Sequence, residues 1–381
     1  MLNTPQNRRN FVKNSALVAT TLFTKGTDAF TNKKNKLPKW KGFNLLDFFN
    51  PDPSIARKAT AEEYFKWMQD WGFDFVRIPI AYPAYLKFDR SQPIRVEDIR
   101  NIDSAMTDRI ERLVYLAHKY NHHVSINLHR APGYCINAGF VEPYNLWTSE
   151  QALADFCYHW AFWAKRFKQI SSKKISFDLL NEPSWRDDMN DQYGAKTKLP
   201  TEVYRKVIVA AYQTIKGINK KHLIIADGNN VGNDVIEGIE DLEVAQSCRG
   251  YMPGIISHYK APWVHRDPDN LPTPKWPGQV GDQYLSRQML EDKLQPWIDL
   301  KNSGTGVHCG ECGCFNLTPH DVFLAWFEDL LDIFSKNDIG FALWEFDGAF
   351  GILNSNRKDI EYEDFYGQKL DRKLLSLLQK M

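Results

Sequence analysis

Phe177-Asp178-Leu179-Leu180-Asn181-Glu182-Pro183 is an apolar run that breaks off in three residues of a different kind. The run reads as a buried strand, and Pro183, with no N–H to give to a ladder, reads as its stop. Glu182 then falls at the C-terminal end of the strand, beside the amide of Asn181. In a closed barrel of parallel strands that end is the face that carries chemistry. Val307-His308-Cys309-Gly310-Glu311-Cys312-Gly313 has the same form and ends a later run with Glu311. Two carboxylates facing one cleft can divide acid work from nucleophilic or base work.

Outward from these two stretches, short apolar runs alternate with amphipathic segments. Strands are predicted over Trp40–Leu45, Phe73–Ile78, His123–Leu128, Ile175–Leu180, Leu223–Ala226, Leu242–Ser247, Gly306–Cys309 and Gly340–Trp344. Helices are predicted from a Thr60-Ala61-Glu62-Glu63 capping box to Trp71, then over Ile102–Tyr120, Ser149–Lys168 and Thr201–Asn219. A short one follows near Val235, then Arg287–Asn302, Pro319–Ser335 and about Arg372–Lys380. Eight strands alternating with helices predict an α/β fold, a single-domain (β/α)8 TIM barrel. A doubly wound open sheet is the rival, but Leu45-Leu46-Asp47 after the first strand offers no Gly-rich phosphate turn.

Composition narrows the partners. The 381 residues carry a net charge of +1 and no basic stripe, which argues against nucleic acid. Twelve Trp and an aromatic content of 13% suit a large core, with some excess for stacking sugar rings on indoles. No segment reaches the roughly 18 apolar residues of a membrane span. Asn7-Arg8-Arg9-Asn10-Phe11-Val12-Lys13 before the weakly apolar run Ala16 to Phe23 resembles a twin-arginine export signal. Residues 1–35 are therefore predicted to be signal peptide and disordered tail, and 36–381 the barrel domain. That places the mature protein in the periplasm or outside the cell, a monomer with no membrane contact once the signal is removed. The six cysteines do not form a disulfide framework. Cys309, Cys312 and Cys314 crowd Glu311, with His308 alongside, but they lack paired C-x2-C spacing and read as buried thiols. No metal and no cofactor is predicted.

Each predicted strand end bears a polar or aromatic residue suited to sugar chemistry: Asn44, Arg77, His129, Asn181 with Glu182, Glu311 and Trp344. The order Arg77-x-Pro79, Leu128-His129, Asn181-Glu182-Pro183, Gly310-Glu311-x-Gly313 and Trp344 resembles glycoside hydrolase family 5, the cellulase family of retaining (β/α)8 glycosidases. The resemblance runs from about Trp40 to Phe350. It implies Glu182 as acid/base, Glu311 as nucleophile and Asn181 as a donor to the sugar 2-hydroxyl. It also implies Arg77 as the charge that keeps Glu311 ionised, His129 as lining, and Trp344 as stacking floor. Trp185, just after Asn-Glu-Pro, is a further candidate for stacking.

Strand six departs from the family's His-x-Tyr-x-Pro followed by Thr-His. Here the chain has Arg249-Gly250-Tyr251-Met252-Pro253 and then Ser257-His258. The preferred register makes Tyr251 the donor to the nucleophile and puts Arg249 in place of the His; the other register uses His258. Arg249 either adds positive charge to the site or turns outward to a loop carboxylate. The expected activity is retaining hydrolysis of β-glycosidic bonds in a β-glucan or cellulose-type polysaccharide or oligosaccharide, through two glutamates. A β-mannanase, an exo-acting β-glycosidase and a non-catalytic carbohydrate-binding barrel are the alternatives. The long loops Arg130 to Leu146 and Tyr259 to Tyr284 choose between a cleft and a blocked pocket.

Overall fold

A computed structural model describes residues 36–55, 58–137, 141–188, 191 and 193–381. The predicted export signal lies outside the described residues. Eight parallel strands run in chain order: β1 (Lys41–Asn44), β2 (Phe75–Ala81), β3 (His123–Ala131), β4 (Ile175–Asp178), β5 (Leu223–Asp227), β6 (Val244–Gly250), β7 (Val307–Cys312) and β8 (Gly340–Leu343). Each pairs with its neighbour in sequence, and β1 pairs with β8 through Phe43 opposite Leu343, which closes the barrel. The fold is the (β/α)8 barrel that the sequence predicts. Among the described residues no helix is long and apolar enough to cross a membrane.

The outer layer holds α1 (Glu62–Asp70), α2 (Ser104–Lys119), α3 (Glu150–Arg166), α4 (Thr201–Ile218), α5 (Arg287–Asn302), α6 (His320–Lys336) and α7 (Arg372–Gln379). Each buries one apolar stripe, as Val207, Ile208, Ala211 and Ile215 do on α4. Asp103 and Ser149 cap α2 and α3 by accepting from the N–H groups of Ala105 and Ala152. The barrel's lower end is plugged by rings: Trp40 lies 3.9 Å from His123, centroid to centroid, and Phe75 lies 4.6 Å from His308. Burial pushes the pKa of both histidines down to about 3, so they serve as neutral core groups.

Four local expectations are corrected. Thr60 does not cap α1: its N–H and hydroxyl both bond Asp47, at 2.8 and 2.6 Å, and the N-cap Ala61 has no side-chain bond. The helix predicted near Val235 is a four-residue turn at Asn229–Gly232, with Asn230 and Val231 at positive φ. Pro183 is not what stops β4. The ladder ends at Asp178, five residues earlier in the chain, although the Leu179 N–H still bonds Ile225 on β5 and the Asn181 N–H bonds Leu128 on β3. Glu311 lies inside β7 and not just past it, since β6 and β7 continue to Gly250 and Cys312.

Candidate active site

Two buried guanidiniums organise the mouth of the barrel. Arg77 rises from β2 and donates to Asp178 at 2.7 Å, Asn44 at 3.1 Å, Glu311 at 2.6 Å and Asn181 at 2.8 Å. Arg249 rises from β6 and donates to Glu182 at 3.1 Å, Asn181 at 2.8 Å, Ser247 at 3.1 Å and Glu311 at 3.3 Å. It also holds both oxygens of Asp227. Burying one guanidinium unpaired costs several kcal/mol. Here four carboxylates from β4, the turn after it, β5 and β7 meet two arginines, and these partners offset the burial. Of the two orientations open to Arg249, the structure has the inward one, on both glutamates.

The backbone explains why Gly precedes Glu311. The β6–β7 register shifts between Cys309 and Glu311, so that Glu311 lies opposite Arg249. A Cβ on Gly310 would sit 2.5 Å from the Ser247 hydroxyl and 3.3 Å from Arg249 Nη1. A side chain there would displace the Ser247 hydroxyl and crowd Arg249. Asn44 braces the same bulge, with its amide nitrogen donating to Gly310 at 3.0 Å and Leu343 at 3.2 Å.

Glu182 is held in a different way. Its φ is +49°, a left-handed backbone that non-glycine residues adopt at a cost of about 1–3 kcal/mol. Two bonds fix it there: its N–H donates to Asp227 at 2.9 Å, and its C=O accepts from Tyr134 at 2.7 Å. The side chain, 15% exposed, forms an ion pair with Arg249. Burial and the nearby Glu311 push its pKa up to about 7, against the pull of Arg249. Glu311 instead receives three donors, from Arg77, Arg249 and the Tyr251 hydroxyl at 3.2 Å. The two carboxyls are held differently: Glu182 is biased toward keeping its proton, whereas Glu311 accepts from two guanidiniums and a phenol. Asp178 too is pushed up to about 7, by burial and by Asp227.

An aromatic wall stands beside the pair. His129 and Trp344 have ring centroids 5.5 Å apart, and Phe49 meets both edge-on at 4.8 and 5.5 Å. Burial and the two guanidiniums hold His129 neutral. Its Nδ1 is buried without a partner among the described residues. His258 is not against Glu311 in the contacts described. It bonds the Ser257 hydroxyl at 2.8 Å and meets the Tyr251 ring edge-on at 4.9 Å, with its pKa pushed down to about 4 by burial. Tyr251, and not His258, therefore reaches Glu311, as the preferred strand-six register has it. Trp185 pairs its backbone with Thr197 and is half-buried.

The sequence reading missed Asp178, Asp227, Tyr134 and Phe49. Asp178 and Asp227 carry a signal nonetheless: each is the charged last residue of a buried strand, Ile-Ser-Phe-Asp and Leu-Ile-Ile-Ala-Asp. All six cysteines are unpaired, and Cys309, Cys312 and Cys314 are buried. Among the described residues no group of three His, Cys, Asp or Glu is placed to hold a metal.

The family described as "Cellulase (glycosyl hydrolase family 5)" matches residues 30–349. A solved structure titled as a glycoside hydrolase is 34% identical, with a TM-score of 0.80 over 90% of this chain and 99% of that one. Endoglucanase C of Acetivibrio thermocellus is 24% identical over 318 residues, 77% of this chain and 85% of the relative. Cellodextrinase A of Ruminococcus flavefaciens is 26% identical over 312 residues, 78% and 83% of the two chains.

Proposed function

This chain belongs to the cellulase family, glycosyl hydrolase family 5, and is a glycosidase; from that premise we propose that it cleaves β-glucan or cello-oligosaccharide chains with retention, Glu182 acting as acid/base and Glu311 as nucleophile. The observation that carries the assignment is the unequal treatment of the two carboxyls. Glu311 accepts from two guanidiniums and a phenol, while Glu182 is pushed up to about 7 and faces one guanidinium. An anion is ready to attack, and a proton is ready to leave.

In the first step Glu182 gives its proton to the glycosidic oxygen as Glu311 attacks the anomeric carbon. The C–O bond to the leaving sugar breaks and a glycosyl ester of Glu311 forms. In the second, Glu182, now a carboxylate, takes a proton from water, which attacks the same carbon and frees Glu311. Arg77 and Arg249 hold the leaving carboxylate without moving, so little reorganisation is needed. Asn181, fixed through its oxygen by both guanidiniums, presents its nitrogen to the sugar's 2-hydroxyl. Trp344 supplies the flat surface beneath the ring. The names of the two curated relatives, an endoglucanase and a cellodextrinase, favour β-glucan over mannan as the substrate.

Hydrolysis of β-glucan, cellulose, mannan, xylan and aryl β-glycosides by the purified protein, with product lengths recorded, tests the substrate class. Activity on β-glucan or cello-oligosaccharides is expected; activity on mannan alone would replace the substrate assignment. The proton on Glu182 also sets a pH dependence. The acid must be protonated in the free enzyme, so kcat/KM should fall as pH rises through about 7. A profile still rising at pH about 9 would take the acid role from Glu182. Tyr251→Phe removes one donor to an ionised partner, worth about 1.5–3 kcal/mol, so kcat should fall roughly ten- to hundredfold with the fold unchanged. An unchanged kcat would leave Tyr251 as packing.

A further inference from the structure

Asp227 is the last residue of β5 and is fully buried. Its two oxygens hold two different parts of the site. Oδ2 accepts the Glu182 N–H at 2.9 Å and also Nη2 of Arg249, while Oδ1 accepts Arg249 Nη1 at 3.1 Å. Nη2 of Arg77 stands 3.7 Å from the same Oδ2. One carboxylate thus holds the backbone of one glutamate and the guanidinium that reaches both.

The end of β5 is anchored where it does this. Tyr204 on α4 donates to the Asp227 carbonyl at 2.7 Å, and the Gly228 N–H bonds Ser247 on β6 at 2.8 Å. In the turn that follows, the Val231 N–H bonds the Pro183 carbonyl at 3.1 Å. The chain on either side of Glu182 is therefore tied to β5 and its turn. Gly232, at φ +76°, packs on the stem of Arg249, where a Cβ would sit 2.6 Å from Cγ. A left-handed residue such as Glu182 persists only where its surroundings over-determine it, and these bonds do so.

Charge is the other half of the arrangement. Arg77 and Arg249 face Asp178, Asp227, Glu182 and Glu311, two cations among four carboxyls. Burial and then Glu311 hold the proton on Glu182; Arg249 opposes them, and Asp227 adds to them. Tyr134, Tyr251 and Lys196 also lie within reach of its charge. Asp178 pairs with Arg77 at 2.7 Å.

Resting on the reading of Glu182 as the acid/base, we propose that Asp227 is its positioning residue: the carboxylate fixes the Glu182 backbone and engages Arg249, so that this guanidinium is shared across the site instead of being claimed by Glu182. A neutral residue could not do both. An amide could still accept the Glu182 N–H, but it would turn its NH2 toward Nη1 of Arg249 and carry no charge. With the anion in place, Arg249 is already paired, and Glu182 gains less by ionising.

Asp227→Asn and Asp227→Ala separate charge from position. Two measurements are needed on each: the pH profile of kcat/KM on cellotetraose, whose leaving group needs an acid, and the titration of the Glu182 carboxyl itself. The second is read by NMR in protein carrying ¹³C at the glutamate side-chain carboxyls, with the signal assigned by Glu182→Gln. In Asp227→Asn the alkaline limb and the Glu182 titration should both move down by about one pH unit, so that kcat/KM falls roughly tenfold above the limb and stays within about threefold below it. Asp227→Ala also frees the Glu182 N–H, so kcat should fall about 10²-fold at every pH, the scale of a small misplacement. Arg249→Ala should move the limb the other way, and Arg249→Ala/Asp227→Asn should bring it back toward wild type. Should Asp227→Asn fail to fold, that double variant, which removes the buried pair as a unit, is compared with Arg249→Ala and should titrate lower. An unmoved limb and an unmoved Glu182 titration in folded Asp227→Asn would overturn the role, as would a double variant that titrates with Arg249→Ala. No hydrolysis of any β-glucoside by wild type would count against the catalytic reading, whereas the carboxyl titration would still decide whether Asp227 governs Glu182.

Discussion

Glu311→Gln should lower kcat by roughly 10⁴–10⁶-fold on every substrate, the scale seen when a covalent nucleophile is removed. The side chain stays the same size and keeps a carbonyl oxygen for Arg77, so the protein should remain folded. Glu182→Gln should behave differently. On substrates with a poor leaving group it should lose about 10²–10⁴-fold, the usual worth of general acid catalysis. On an aryl glycoside whose phenol leaves unaided, the first step should survive and the second should stall, so that a burst of phenol precedes slow turnover. Azide, a small anion that needs no base, should restore turnover in Glu182→Gln and yield the β-glycosyl azide. Equal losses on both substrate types, with no burst, would contradict the division of roles.

The same substitution carries a stability prediction. The folded-state pKa of Glu182 is raised from the ordinary 4.5 to about 7. Between those values the folded chain retains a proton that the unfolded chain has released. The stability contribution of this group is therefore lost as pH rises from about 4.5 to about 7. Glu182→Gln removes the titration, so the variant should melt at or above the wild-type temperature at neutral pH. A clear drop in Tm there would mean that the carboxylate is stabilising the fold.

The second large effect is expected at Arg249. Its guanidinium touches Glu182, Asp227, Asn181 and Glu311 together. Arg249→Ala leaves Arg77 alone among four buried or half-buried carboxylates. Breaking such a network typically costs 3–5 kcal/mol, enough to move Tm by several degrees in a chain of this size. Activity should fall by roughly 10²–10³-fold, comparable to losing a preorganised donor at a developing charge. Because Arg249 draws the pKa of Glu182 down, its removal should move the alkaline limb of the pH profile upward. Arg249→Lys keeps the charge but lacks the fork that reaches several acceptors, so it should recover stability more than rate. Wild-type rates and an unmoved limb in Arg249→Ala would assign this residue to structure alone.

What was legible in the sequence depended on whether a residue announced itself locally. Asn181, Glu182 and Glu311 are polar groups that interrupt apolar runs, and Arg77 and His129 stand out in the same way. The barrel followed from the alternation of such runs with amphipathic helices. Asp178 and Asp227 interrupt their strands as clearly, yet their meaning lies in two arginines 101 and 22 residues away. No local pattern gives such pairings. Glu182 illustrates another limit. Its chemistry was readable, but its left-handed backbone and its position beyond the ladder follow from bonds to Asp227 and Tyr134, which come from other strands and loops. Thr60 fails for the same reason: a residue that fits a capping box bonds Asp47 instead, because the loop after β1 folds back against it.

The most direct test of the account is to trap the intermediate. A 2-deoxy-2-fluoro-β-cellobioside with a good leaving group slows both steps but slows hydrolysis of the ester more. After incubation and proteolysis, mass spectrometry should find the fluorocellobiosyl group on the peptide that contains Glu311, and fragmentation should place it on that side chain. The adduct should be absent in Glu311→Gln. A label on Glu182 or Asp227, or an active enzyme that forms no covalent adduct and releases the inverted sugar, would contradict the assignment of Glu311 as the nucleophile.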